Sequence, residues 1–168
     1  MHKSVQPVPV PTGCVYVLPS ADFSDSFAVD VADDALDAPA AARRAFAEPP
    51  RWITGLLGLR NMLVAPLGLK TNTETEPADD KRFGLPLVAS SRERVVLGMD
   101  DRHLDFRVVI DVERLRDTTR VTTTTLVHRN NRLGHLYLAA VMPFHKIIVP
   151  ALLARLNTTA ENVSGPHG

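Results

Sequence analysis

The sequence predicts an α+β fold in which a curved antiparallel β-sheet wraps around a long C-terminal helix, with two short helices after the first strand. Three observations support this prediction. Four strand-like segments follow one another with short polar turns between them, which is typical of an antiparallel meander. A run of helical periodicity follows the last of these strands, and two shorter helical stretches bounded by proline precede the first. At 168 residues the chain has the length of one domain.

The N-terminal half supplies the first strand and the two short helices. FSDSFAVDV, residues 23–31, alternates as a strand does, with one polar interruption at Asp25 in its apolar row. Asp37 is expected to cap a helix in APAAARRAFAE, and RWITGLLGLRNMLVA has the spacing of a second helix. The segment TNTETEPADDKR, residues 71–82, lacks periodicity and is predicted to be a loop.

The C-terminal half supplies the meander and the long helix. Strands are predicted at residues 85–90, 94–99, 102–112 and 120–128. Asn131 is expected to cap a helix of about 25 residues that begins at Arg132 and bends at Pro143 and Pro150. Its predicted apolar positions are Leu133, Leu136, Tyr137, Ala140, Phe144, Ile147, Ile148, Leu152 and Leu156.

Composition divides the chain into three segments and indicates where in the cell the protein is expected. Residues 1–20 are Pro-rich and expected to be flexible, residues 21–157 form the folded domain, and residues 158–168 are expected to be a disordered tail. The prolines around the single cysteine, Cys14, argue against a signal peptide, so a cytoplasmic location is predicted. The apolar run at residues 136–154 approaches membrane-spanning length, but His145 and Lys146 near its middle favour a buried helix and no membrane span.

The charge balance bears on partners. Lys plus Arg and Asp plus Glu number 19 each, and only nine residues are aromatic, so we expect no nucleic-acid partner. No G-x-G-x-x-G motif precedes the domain, and we predict neither a cofactor nor a metal.

The stretch GMDDRHLDFRVVIDV, residues 98–112, interleaves a charged and an apolar row. On a strand, Asp101, His103, Asp105 and Arg107 would share one face. These residues form a possible polar cluster that could work as an acid/base pair or bind a divalent cation. The competing interpretation, which we favour, is a ladder of opposite charges on an exposed sheet face.

A ligand site is predicted between the apolar row of this strand and the long helix. Small residues on the helix favour a gap, so a mainly apolar pocket of roughly 300 Å³ or more is expected. Arg60, among apolar residues, is either an anchor for a ligand anion or part of a buried ion pair. His145 is expected to face solvent. The predicted ligand-binding residues are Arg60, Phe106, Val108, Tyr137 and Phe144.

Several motifs resemble a known family. ADFSDSF at residues 21–27, LRNMLV and GLK within 59–70, LGMDDRHLDFR at 97–107 and GHLYLAAVMPFHKIIV at 134–149 are similar to a bacterial family classified as domain of unknown function 2867. The element order also resembles the helix-grip superfamily of START-like lipid-transfer domains and polyketide cyclases. The resemblance implies a helix-grip architecture and, in some relatives, fusion behind a nucleotide-binding reductase domain. It implies no catalytic residues.

Three functional hypotheses follow. The first is a domain that binds a small apolar molecule between the sheet and the long helix. The second is an acid/base enzyme of cyclase or hydrolase type that uses His103 with Asp101 or Asp105. The third is an accessory domain that docks on a separate nucleotide-binding reductase.

Overall fold

The computed structural model of the protein describes residues 4–46, 48–55, 62, 65–67 and 85–163. Within these ranges, six strands form one antiparallel sheet in the order β1-β2-β6-β5-β4-β3. The strands are β1 (Gln6–Pro7), β2 (Phe23–Val31), β3 (Leu87–Ser90), β4 (Arg94–Asp100), β5 (Leu104–Arg114) and β6 (Thr119–Arg129). The helices are α1 (Ala38–Phe46) and α2 (Arg132–Val163), and residues 51–55 are also helical. The predicted α+β arrangement of an antiparallel sheet with a long C-terminal helix is confirmed.

The register of the sheet sorts the side chains into two faces. Asp25 of β2 lies opposite Thr125 of β6, which lies opposite Val108 of β5. Residues two apart in a strand share a face, so Phe23 and Phe27 lie on the same side as Asp25. We call the side that α2 covers the inner face and the opposite side the outer face.

The main core fills one end of the inner face. Val29, Val31, Val95, Leu97 and Ile110 project from three strands and are at most 2% exposed. Four fully or almost fully buried alanines of α1 allow this helix to approach the strands closely, and two leucines of α2 complete the cluster. These residues are Ala38, Ala41, Ala42, Ala45, Leu153 and Leu156.

Both predicted helix caps are present. The Asp37 carboxylate accepts a hydrogen bond from the Ala40 N–H at 2.8 Å, and Asn131 Oδ1 accepts one from the Gly134 N–H at 3.1 Å. Helix α2 continues through Pro143 and Pro150 to Val163. The sequence predicts a disordered tail from residue 158; residues 158–163 belong to α2 in the structure, and residues 164–168 lie outside the described part.

The buried stripe of α2 differs from the predicted one. Leu138, Ile148 and Leu152 are buried, whereas Leu136 and Ile147 are 54% and 55% exposed. The helix is apolar on nearly all sides, so periodicity alone could not identify the side that faces the sheet. Packing against the sheet determines which side of α2 is buried.

The N-terminal segment covers the outer face. Strand β1 pairs with β2 through Gln6 and Pro7, and Cys14 and Leu18 pack against Val109 and Leu126 of the sheet. The sequence predicts a flexible segment at residues 1–20, and in the structure Cys14 and Leu18 of this segment form a second core layer. Residues 1–3 lie outside the described part.

Helix α2 is long and apolar enough to cross a membrane by length and composition alone. The most apolar 18-residue window of Arg132–Asn157 has a mean hydropathy of 1.7, and 22% of that window is buried. This is weak evidence, because the core helix of a folded domain can pass the same test. Here Leu138 packs on Leu104 and Val127 of the sheet, as expected of a helix that lies across strands.

Candidate functional site

The inner face carries a small group of polar side chains among apolar ones. Asp25 comes from β2, and Thr123 and Thr125 come from β6 on the same face. His145 reaches this group from α2. We call these four residues the inner polar group.

Asp25 and His145 are in direct contact. His145 Nε2 lies 2.9 Å from Oδ2 and 3.1 Å from Oδ1 of Asp25, and the side chain of His145 is 13% exposed and that of Asp25 23%. Both carboxylate oxygens accept, so Nε2 carries the hydrogen. In the neutral ring Nδ1 then has the lone pair. The expectation that His145 faces solvent is wrong, because the rotation of α2 places it over the polar interruption in β2.

Thr123 lies next to this pair on the sheet. It is fully buried, opposite Phe27 of β2, and its Oγ1 has no hydrogen-bond partner among the described residues. A buried hydroxyl without a partner costs free energy, on the order of 1–3 kcal/mol. The inner polar group therefore contains an unused hydrogen-bonding group.

Aromatic and aliphatic side chains lie beside the inner polar group, at the α2 N-terminal end of the sheet. Leu104, Val127 and Leu138 form a buried cluster there. Four partly buried residues pack against that cluster: Phe23, Phe106, Tyr137 and Met142.

The predicted ligand-binding residues are distributed over the inner side of the domain. Phe106 and Tyr137 share the cluster next to the inner polar group, Val108 packs with the main core, and Phe144 packs with Ile53 of the helical residues 51–55. Arg60 lies outside the described residues.

The charged row at residues 101–107 is divided between a turn and a strand: Asp101 and His103 precede β5, whereas Asp105 and Arg107 lie on it. Asp105 Oδ1 accepts from the Asp101 backbone N–H and from Asn130 Nδ2, both at 3.2 Å. Asn130 Nδ2 also donates to the Asp101 carbonyl at 2.9 Å. These bonds close the β4–β5 turn and tie it to the segment before α2.

His103 and Arg107 have separate roles in the same region. His103 precedes β5, is 5% exposed, and lies with Nδ1 3.0 Å from Asn131 Nδ2. Arg107 forms an ion pair with Asp100 at 2.7 Å, and its hydrogen bond lowers the pKa of that carboxyl. The placement of His103 on an exposed strand face is thus wrong. Within the described ranges, no group of three or more His, Cys, Asp or Glu residues is arranged to hold a metal.

Two open clefts lie at the other end of the sheet, with volumes of about 470 and 540 Å³. Both are lined by Glu93, Val112 and Glu113. At the first cleft Arg94 donates to both oxygens of Asp111 at 2.6 and 2.9 Å. Charged residues line both clefts, and neither cleft lies at the predicted apolar site.

Cys14 lies beside that ion pair on the outer face. Its Sγ is 3.8 Å from Asp111 Oδ2 and the residue is fully buried. Burial raises the pKa of the Cys14 thiol, and the neighbouring Asp111 carboxylate acts in the same direction.

The sequence contained one signal for the inner polar group. Asp25 interrupts an otherwise apolar row, and a carboxylate in a core-facing position needs a partner. The identity of that partner could not be read from the sequence, because 120 residues separate Asp25 from His145.

The fold and the inner polar group define a class: a single-sheet α+β domain with a His–Asp contact under its long helix. A family model described as Protein of unknown function (DUF2867) matches residues 17–152, and the chain belongs to this family. No curated protein matches it. The solution NMR structure of a protein from Arthrobacter aurescens is similar over 86% of this chain and 92% of its own, with 13% identity and a TM-score of 0.38. That similarity carries no argument about function.

Proposed function

We propose that the domain binds a small, mainly apolar molecule with a hydroxyl group at one end, between the sheet and α2. The observation that carries this proposal is the contact between Asp25 and His145 beside the unpartnered Oγ1 of Thr123. Ligand sites are mostly apolar and contain a few polar groups that orient the ligand. The inner polar group together with the apolar cluster beside it has this composition.

The chemistry of the polar group selects a hydroxyl over an anion. A hydroxyl can donate to Asp25 or to His145 Nδ1 and accept from the Thr123 hydroxyl. A carboxylate ligand would instead meet the Asp25 carboxylate as a like charge. The apolar part of the ligand would pack along Phe23, Phe106, Tyr137 and Met142, which are only partly buried.

The test compares ligand binding in two variants of β2. We expect a long-chain alcohol or a hydroxylated sterol or aromatic to raise the melting temperature of the wild-type protein. Asp25→Asn should weaken binding about tenfold or more, since a hydrogen bond to a charged group contributes about 1.5–3 kcal/mol.

Asp30→Asn is the matched control. Asp30 is also on β2 and forms an ion pair, with Arg120 at 2.8 Å, but it projects from the other face of the sheet. The Asp30→Asn variant should bind the ligand as the wild type does. The proposal would be contradicted if none of the alcohols, sterols and aromatics raised the melting temperature, or if Asp25→Asn bound the ligand as tightly as the wild type.

A second candidate function is acid/base catalysis at the same residues. The favouring observation is that Asp25 holds His145 by Nε2, an arrangement in which a carboxylate orients an imidazole base. This candidate moves the catalytic pair from His103 and Asp101 or Asp105 to His145 and Asp25. If an ester or polyketide-like substrate is turned over, His145→Gln should lower kcat on the order of 10²–10⁴-fold. Loss of turnover in His103→Gln, with His145→Gln still active, would instead assign catalysis to His103 with Asp101 or Asp105.

A further inference from the structure

Helix α2 exposes an apolar stripe on the side away from the sheet. Leu136 and Ile147 are 54% and 55% exposed, and Leu133 is 39% exposed. Ala139 and Pro143 are exposed between them. Positions 136, 139, 143 and 147 are three or four residues apart, so they form one continuous strip along the helix.

Basic residues accompany this strip. Arg132, His135 and Lys146 are exposed on the same helix. The segment Arg132–Asn157 contains no Asp or Glu, although the whole chain has a formal net charge of zero. We call the exposed side of α2, with these apolar and basic residues, the basic apolar face.

We propose that the basic apolar face docks on the surface of an anionic lipid bilayer, with α2 lying parallel to the membrane. Helices of this kind bury apolar side chains at the boundary of the headgroups and acyl chains, and their Lys and Arg residues interact with anionic lipids. The buried side of α2 remains on the sheet, where His145 contacts Asp25. The helix therefore lies on the membrane and does not cross it.

Charge favours an anionic bilayer over a second copy of the chain as the partner of the basic apolar face. In a symmetric dimer through the same face, each copy would present Arg132, His135 and Lys146 to the other, with no acidic residue of this segment to pair with them. An anionic bilayer offers complementary charge at every position. This inference goes beyond the proposed ligand site and does not depend on it.

The test is flotation of the purified chain with vesicles of phosphatidylcholine, with or without phosphatidylglycerol. We expect binding to the anionic vesicles that weakens with salt, because the Debye length falls from about 10 Å at 0.1 M to about 3 Å at 1 M. Ile147→Asp should reduce the bound fraction about tenfold or more, since the variant loses the favourable transfer of an aliphatic side chain out of water. Lys146→Glu should reduce binding to anionic vesicles.

Val15→Asp is the matched control, because Val15 is 55% exposed but lies in the N-terminal segment. It should float as the wild type does, and circular dichroism should show that all variants are folded. Equal binding to neutral and anionic vesicles, or no vesicle binding at all, would overturn the proposal. A dimer in light scattering that Ile147→Asp dissociates, without vesicle binding, would instead assign the face to contacts between copies.

Discussion

Gly98 and Gly55 differ in whether the structure has space for a side chain. Gly98 in β4 has φ of +154°, and a Cβ there would meet the Phe106 carbonyl oxygen, whereas a Cβ at Gly55 would meet nothing within 4 Å. We expect Gly98→Ala to destabilise the protein by about 1–3 kcal/mol. Gly55→Ala, at a helical position, should stabilise it by about 0.5–1 kcal/mol. Urea unfolding measures both, and a neutral Gly98 variant would contradict the strain argument.

Because of Cys14, we expect the free energy of unfolding to fall at alkaline pH. Burial raises the pKa of the folded-state thiol above its ordinary value of 9.0. Above that value the unfolded chain loses the thiol proton while the folded chain keeps it, so the unfolded state binds fewer protons and stability falls. The contribution is complete below about pH 8, where the thiol is protonated in both states, and is lost as pH rises through the folded-state pKa.

The measurement is the difference in unfolding free energy between wild type and Cys14→Ala from pH 7 to 10. We expect the difference to be constant up to about pH 8 and then to shift against the wild type. The same burial should make the native thiol slow to react with a disulfide reagent until denaturant is added. A constant difference up to pH 10 would show that the thiol ionises equally in both states.

At the scale of elements, the start of α2 is joined to the β4–β5 turn by Asn131. Its Oδ1 caps the helix at the Gly134 N–H, and its Nδ2 lies 3.2 Å from the Arg102 carbonyl and 3.0 Å from His103 Nδ1. The amino group donates to the Arg102 carbonyl. His103 Nδ1 is within hydrogen-bond distance of both ends of the Asn131 amide, 3.0 Å from Nδ2 and 3.3 Å from Oδ1, and its tautomer decides which of the two it pairs with.

Two substitutions separate these roles of Asn131. Asn131→Ala loses the cap and the turn contacts and should cost about 2–4 kcal/mol. Asn131→Asp keeps the cap acceptor but loses the donor, so we expect a smaller cost of about 1–2 kcal/mol. Asp37→Asn, which keeps the acceptor at the cap of α1, is the control and should change little. Equal stabilities of wild type and Asn131→Asp would contradict a structural role for the amide donor.

At the scale of the whole molecule, the sheet is covered on both faces. Leu18 is 8% exposed against the outer face, in a cluster with Val96, Val109 and Leu126. Leu18→Ala should cost about 2–5 kcal/mol, as for other buried leucines. Val15→Ala, at a position 55% exposed, should stay within about 0.5 kcal/mol. Thermal unfolding of both variants checks this, and equal melting temperatures would mean that the N-terminal segment does not contribute to the core.

Strand alternation and helix caps were sufficient to predict most elements. β2 was predicted at its observed residues, Phe23–Val31, and β4, β5 and β6 were predicted to within two residues at either end. The caps at Asp37 and Asn131 were also predicted, because a cap is a local hydrogen bond. Strand β1 was missed, since two residues within a Pro-rich segment carry no periodic signal.

The face assignments were the weakest predictions. Val109 is fully buried on the side of β5 that the sequence marks as polar, because the N-terminal segment covers it. His103 is buried because the turn before β5 folds under the start of α2. Both outcomes depend on segments distant in sequence. The alternation of residues within one strand contains no information about such segments.

The sequence by itself determined the α+β class, the meander, the long helix and the family, because periodicity, turn residues and caps act over a few positions. Only the tertiary structure decided which side of α2 faces the sheet. That side brings His145 to Asp25 and leaves Leu136 and Ile147 exposed. The physical reason is that a helix apolar on nearly all sides has no preferred orientation of its own, so the shape and polarity of the sheet select one.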